Sequence, residues 1–168
     1  MASIRAATLG DLPRLTEIYN HYVMTTPITF DLEPFTPEQR VSWFEEHTAG
    51  RRHQLVVAEV DARVVGFACT GQFRVKRSYD TTVETTIYCA PGATGRGIGT
   101  LLYGALFAAL ANEDINRFVA AITLPNDASI ALHKGFGFRQ VGVFSENGRK
   151  FGRYWDVAWF ERPMRALG

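Results

Sequence analysis

Three alternating glycines, one isolated carboxylate, one imidazole and two neighbouring bases are the groups in this sequence best suited to chemistry. Gly95, Gly97 and Gly99 stand in the run Thr94-Gly95-Arg96-Gly97-Ile98-Gly99, directly ahead of an apolar helical pattern. A helix start collects unpaired backbone N–H groups and the positive end of the helix dipole. Closely spaced glycines let the chain wrap an anion without interference from Cβ, so a phosphate is the expected guest. Glu84 is the one charged residue of the stretch Thr82 to Cys89. A carboxylate there is costly to bury unless it is paired or working as a proton acceptor. His133 carries an imidazole that can shuttle a proton near neutral pH. Arg74 and Lys76 can grip a carboxylate or phosphinate, the arginine through two parallel N–H groups.

Each group also has a plainer reading. The glycines can serve a tight strand-to-helix turn. Glu84 can sit at an exposed strand position or pair with Arg74 or Lys76. His133 can lie on a helix surface beside Lys134, and the basic run Arg74-Val75-Lys76-Arg77 can be a solvated turn. Spacing narrows the glycines further. A Walker-type loop requires Lys after its last glycine, and here Ile98 and Thr100 follow. A dinucleotide fingerprint requires a third glycine where Thr100 or Leu102 stands. Cys89 has apolar neighbours and no adjacent base, which disfavours a covalent route through its sulfur.

The elements that must position these groups alternate between strand and helix. Ser3 to Ala7 reads as a short strand, and Thr8 with Asp11 as a helix start. Leu12, Leu15, Ile18, Tyr19, Tyr22 and Val23 then follow at helical spacing. The segment from Thr26 to Phe35, with two prolines, is expected to be an ordered, exposed loop. Thr36 and Pro37 open a second helix that runs to about His47. Leu55–Val60 and Arg63–Gln72 form a hairpin over Asp61-Ala62, and Thr82–Cys89 is a third strand of this group. On that strand side chains alternate, which places Glu84, Thr86 and Tyr88 on one face. Ile98 to Leu110 is a strongly apolar helix, and Phe118 to Leu124 reads as a strand buried on both sides. A short helix follows Asn126-Asp127, and two strands, about 138–144 and 154–160, close the pattern.

Composition sets the bounds. The 168 residues carry a net charge of +1, with 46% hydrophobic and 21% charged residues. That is the make-up of one folded domain, not of a disordered chain or an electrostatically driven nucleic-acid binder. No apolar run approaches the ~18 residues of a membrane span, and Met1 to Arg5 lacks a secretory signal. Cys69 and Cys89 lack metal or disulfide spacing and read as core thiols of a reduced, cytoplasmic protein. No metal is expected.

The glycine run resembles the cofactor signature of the GNAT superfamily of N-acetyltransferases, with Thr94 where Gln or Arg is usual. The stretch Asn126-Asp127-Ala128-Ser129-Ile130-Ala131-Leu132-His133, followed by Gly137-Phe138, is similar to the second cofactor block of that family. Asn20-His21-Tyr22, Val83 to Tyr88, Leu124 to Asp127 and Gly148 to Arg153 bring the chain closer to the phosphinothricin and methionine sulfoximine N-acetyltransferases.

The resemblance covers about residues 4–162 and implies a single α/β (α+β) domain with a mixed, mostly antiparallel sheet flanked by helices. It implies acetyl-CoA as cosubstrate, with pyrophosphate on the amides of Gly95, Arg96, Gly97, Ile98, Gly99 and Thr100. The pantetheine would pair with the backbone of Ile87, Tyr88 and Cys89, and Asn126 and Ser129 would complete the cofactor site. A small amino-acid analogue is the implied acceptor, with Glu84 as base and His133 as acid or proton relay. Its implied contacts are Arg74, Lys76, Tyr79, Thr29, Phe30, Lys150 and Phe151. Thr29 and Phe30 match a loop that in the family reaches the partner's site, which implies a homodimer. The alternatives are another small amine or a peptide N-terminus as acceptor, or a non-catalytic acyl-CoA-binding regulator.

Overall fold

A computed structural model describes residues 2–164. Its frame is one seven-stranded sheet in the order β1-β2-β3-β4-β5-β7-β6. The strands are β1 (Ser3–Ala6), β2 (Leu55–Val60), β3 (Arg63–Gln72), β4 (Thr82–Cys89), β5 (Arg117–Thr123), β6 (Arg139–Lys150) and β7 (Arg153–Pro163). Every neighbouring pair is antiparallel except β4 with β5, which is parallel. The helices are α1 (Leu12–Thr25), α2 (Val41–His47), α3 (Ile98–Ala109) and α4 (Asp127–Gly135).

Alternation along the strands sorts the helices to two faces. Thr85 meets Tyr103 of α3, and Ile87 lies beside Gly99 at the start of α3. Tyr88, on the opposite face of β4, packs against Tyr19 and Tyr22 of α1. Phe67 of β3, on the same side, meets Trp43 of α2. The core fills both layers, with Leu15, Ile18, Phe67, Leu102, Tyr103, Leu106 and Phe118 essentially inaccessible to water.

Local chemistry sets the ends of these elements. Asp11 accepts from the Thr8 backbone N–H, and its carboxylate also takes the Arg5 guanidinium at 2.7 Å. Asp61 and Ala62 both have positive φ, which makes the β2–β3 hairpin tight. The helix expected from Pro37 begins instead as a 3-10 turn at Glu38–Arg40 before α2 proper. Thr36 and Gln39 exchange backbone-to-side-chain bonds around that start.

Two segments differ from their sequence reading. β5 is not buried on both sides: Phe118, Ala120 and Ile122 face α3, while Ala121 is exposed on the other face. β6 and β7 run much further than expected and make one long hairpin that turns at Phe151 and Gly152. Their polar stretch breaks the alternation because a bulge interrupts the pairing between Phe144 and Gly148.

Candidate active site

β4 and β5 pair only through Thr82–Glu84 with Arg117–Val119. Beyond that point β4 continues to Cys89 and β5 to Thr123, and the strands part. The opening is a cleft of about 320 Å³. Glu84, Thr86 and Tyr88 line it from one face of β4. Tyr103 and His133 line it from the α3–α4 side, and Thr29 and Phe30 wall it from the α1–α2 loop.

Glu84 is half-buried at the last position of β4 that pairs with β5, where it stands opposite Gly71 and Val119. Burial pushes its carboxyl above the ordinary carboxylate range, and the positive charge of Arg74 works against that rise. A carboxylate so placed is readier to take a proton than one in water.

His133 is buried, not surface-facing, at 3% exposure. Its Nδ1 lies 2.7 Å from the Ser129 carbonyl, which can only accept, so Nδ1 carries the ring proton. Nε2 lies 2.8 Å from the Tyr103 hydroxyl and is therefore the acceptor of that O–H. The Tyr103 oxygen in turn lies 3.3 Å from the Thr85 hydroxyl. Burial pushes the imidazole pKa down, which keeps the ring neutral. Tyr103 gave no sequence signal of its own, since an aromatic residue in an apolar helix reads as core.

The glycine loop divides into two jobs. Gly95 has φ of 72° and Gly97 of 79°, and a Cβ at either would meet nothing in the protein. These two shape the backbone and leave open space in front of it. Gly99 has a packing role: a Cβ there would come 3.1 Å from Leu132 of α4. The first helical bond at the N-terminus of α3 runs from Leu101 N–H to the Gly97 carbonyl. The amides of Ile98, Gly99 and Thr100 precede it, at the point where helices present unpaired donors. Open backbone, positive φ and free amides together fit a pyrophosphate.

Asn126 caps α4, its side chain accepting the Ser129 N–H at 3.2 Å, and it also lines the cleft. Ile87 and Tyr88 line the cleft as well, and the Cys89 carbonyl accepts the Tyr22 hydroxyl at 2.6 Å. Burial pushes the Cys89 thiol up to about 11, which leaves it a poor nucleophile.

The basic and late-loop residues separate. Arg74 and Tyr79 line a second, more apolar pocket of about 410 Å³, and Trp159 borders both this pocket and the cleft. The Arg74 guanidinium stacks 4.2 Å from the Phe73 ring centroid. Lys76 and Arg96 are exposed and line neither space.

Lys150 ends β6 with its amine buried, donating to the Thr29 carbonyl at 2.7 Å, behind the cleft wall and not in it. Phe151 points outward from the turn that follows. The α1–α2 loop is less exposed than its composition suggests. Thr29 is buried, and the Phe30 ring fills the space that a side chain at position 148 would need. Among the described residues no cluster of three or more His, Cys, Asp or Glu is placed to hold a metal ion, and no helix is long and apolar enough to cross a membrane.

Comparison with known proteins agrees with this geometry. The model of the acetyltransferase (GNAT) family matches residues 15–138. A phosphinothricin N-acetyltransferase of Streptomyces coelicolor is 56% identical, over 96% of this chain and 95% of that protein. An L-methionine sulfoximine/L-methionine sulfone acetyltransferase of Pseudomonas paraeruginosa is 33% identical, over 95% and 93%. A solved GNAT phosphinothricin acetyltransferase from Sinorhizobium meliloti, in complex with acetyl-CoA, superposes with a TM-score of 0.91. It is 33% identical, over 96% of this chain and 88% of that one.

Proposed function

The chain belongs to the acetyltransferase (GNAT) family and is an acyltransferase. From that premise we propose that it moves the acetyl group of acetyl-CoA directly onto the α-amine of a small amino-acid analogue, of the phosphinothricin or methionine sulfone kind. The observation that carries the reading is Glu84: a half-buried carboxylate with a raised pKa, at the point where two parallel strands part to open a cleft.

Acyl transfer to an amine needs the nitrogen lone pair free, the acyl carbonyl polarised and the leaving thiolate stabilised. Glu84 takes the proton from the ammonium or from the attacking amine, directly or through one water. The Gly95–Thr100 amides hold the pyrophosphate of the donor. The free edge of Ile87–Cys89 pairs with its pantetheine arm, and the Asn126 side chain lies along the same path. The donor supplies the activated acetyl group. Arg74 and Tyr79, in the pocket that Trp159 shares with the cleft, meet the acceptor carboxylate, with Lys76 further out. Thr29 and Phe30 wall the cleft, and Lys150 holds that wall, with Phe151 exposed on the turn beyond it. With Nε2 unprotonated, His133 accepts the Tyr103 hydrogen bond and holds that hydroxyl in place; it has no free N–H to give, so the CoA thiolate takes its proton from solvent. The raised thiol pKa of Cys89 supports direct transfer over a covalent acetyl-cysteine.

Steady-state CoA release at saturating acetyl-CoA, with phosphinothricin, methionine sulfone and an alanyl peptide as acceptors, tests this reading. Glu84→Gln should lower kcat by about 10²–10⁴-fold while leaving the KM for acetyl-CoA near its original value. An unchanged kcat would refute the base assignment. Turnover of the peptide alone would move the acceptor class to protein N-termini.

The working form we propose is a cytoplasmic homodimer. The exposed Val141, Val143 and Phe144 on β6 supply an apolar surface for the second copy. Sedimentation at micromolar concentration should give twice the chain mass.

A further inference from the structure

The α1–α2 side of the sheet holds a buried cation that forms no ion pair among the described residues. Arg40 is 5% exposed. Its guanidinium carbon lies 3.9 Å from the Trp43 ring centroid and 4.5 Å from that of Tyr19. The aromatic rings satisfy the flat faces of the group. They do nothing for its edge, where Nη1 is buried without a hydrogen-bond partner among the described residues. Asp31 is the one acid lining the same pocket, and it accepts the Tyr19 hydroxyl without forming an ion pair with Arg40. A guanidinium withdrawn from water with a free N–H edge is a costly arrangement unless an acceptor arrives.

The pocket that Arg40 lines measures about 240 Å³. It shares Thr86 and Tyr88 with the Glu84 cleft, so the two spaces adjoin along one face of β4. Residues two apart on a strand stand about 7 Å apart, which places Thr86 within a small amino acid's reach of Glu84. We propose that Arg40 anchors the side-chain oxygens of the acceptor: the P–O or S–O oxygens of an amino-acid analogue whose amine lies at Glu84. This deepens the function proposed above and rests on it. It leaves the α-carboxylate to Arg74 in the pocket that Trp159 shares with the cleft, so the two polar ends of the acceptor meet two separate arginines. A planar guanidinium presents parallel N–H groups that suit a pair of oxygens on one phosphorus or sulfur atom.

Methionine and methionine sulfone differ only in those oxygens, which makes them the test pair. The wild-type protein should favour the sulfone by at least about 100-fold in kcat/KM, because a site built to hydrogen-bond rejects a ligand that lacks the acceptor. Arg40→Met should shrink the preference to within about threefold, through a raised KM for the sulfone, with the KM for acetyl-CoA unchanged. Arg40→Lys keeps the charge and most of the packing and should lose about tenfold of the preference.

If both acceptors are acetylated with similar efficiency by the wild type, the Arg40 assignment is overturned and the acetyltransferase reading stands. If neither is acetylated, both fall. An equal loss on both acceptors in either variant means that Arg40 only packs α2, which also overturns the assignment. Should Arg40→Met fail to fold, the wild-type preference and the lysine variant decide the matter.

Discussion

At the residue scale, Glu84 and Arg74 are coupled by charge. Burial raises the Glu84 pKa and Arg74 lowers it. As the proposed base, Glu84 works only when ionised, so kcat/KM should fall as pH drops through the Glu84 pKa. Replacing Arg74 with Met removes the charge that favours the carboxylate, and the acidic limb should move to higher pH. A pH–rate profile of the two proteins checks both the direction and the residue. Cys89→Ala should keep activity within about threefold of the parent, since burial holds that thiol protonated; trapping of an acetyl-cysteine by mass spectrometry would oppose direct transfer. Strand alternation alone placed Glu84 on the face with Thr86 and Tyr88, and the structure keeps it there. The burial of His133 was not legible, because a lone histidine beside a lysine on a short helix gives no sign of which way it faces. Arg40 was hidden for the same reason: a charged residue at a helix start reads as solvated, and it is enclosed only when Tyr19, distant in sequence, closes on it opposite Trp43 of the next turn.

At the scale of elements, the cleft wall rests on contacts between the α1–α2 loop and β6. A Cβ on Gly148 would stand 2.3 Å from the Phe30 ring, an overlap that neither side can absorb in place. Gly148→Ala should displace Phe30, raise the KM for the amine acceptor by tenfold or more, and cost about 1–3 kcal/mol in stability. The KM for acetyl-CoA should stay near its original value, because the glycine loop at α3 lies elsewhere. Steady-state kinetics and thermal melting read these effects together. The β2–β3 hairpin, β4 and α3 were legible from hydrophobic period and turn chemistry. The length of the β6–β7 hairpin was not. Ser145 to Lys150 is polar and interrupted by a bulge, and it is held by long-range contacts such as the bond from the Lys150 amine to the Thr29 carbonyl, 2.7 Å long.

At the scale of the molecule, the first strand is tied to the rest by charge. Arg5 bridges Asp11 at the head of α1 and Glu59 of β2, and it holds the Asp11 carboxyl down to about 2. A carboxyl pKa depressed on folding stabilises the native state above its unfolded value, and that stability is lost as pH falls through the folded value. The contribution of Asp11 should therefore be complete above about pH 5 and disappear as pH falls below about 2. Since Arg5 is partly solvated, it amounts to about 1–2 kcal/mol. Asp11→Asn should lower the melting temperature at pH 7 and narrow the gap to the parent as pH approaches 2.

The parting of β4 from β5 leaves the protein with an unfinished sheet. The edges from Thr85 to Cys89 and from Ala120 to Thr123 lack each other as partners, and only three residue pairs hold the two halves side by side. A guest whose own amides complete that ladder acts as a removable strand. The donor should therefore add before the amine and slow amide hydrogen exchange along both edges, so that the order of catalysis is already written into where the β4–β5 ladder stops.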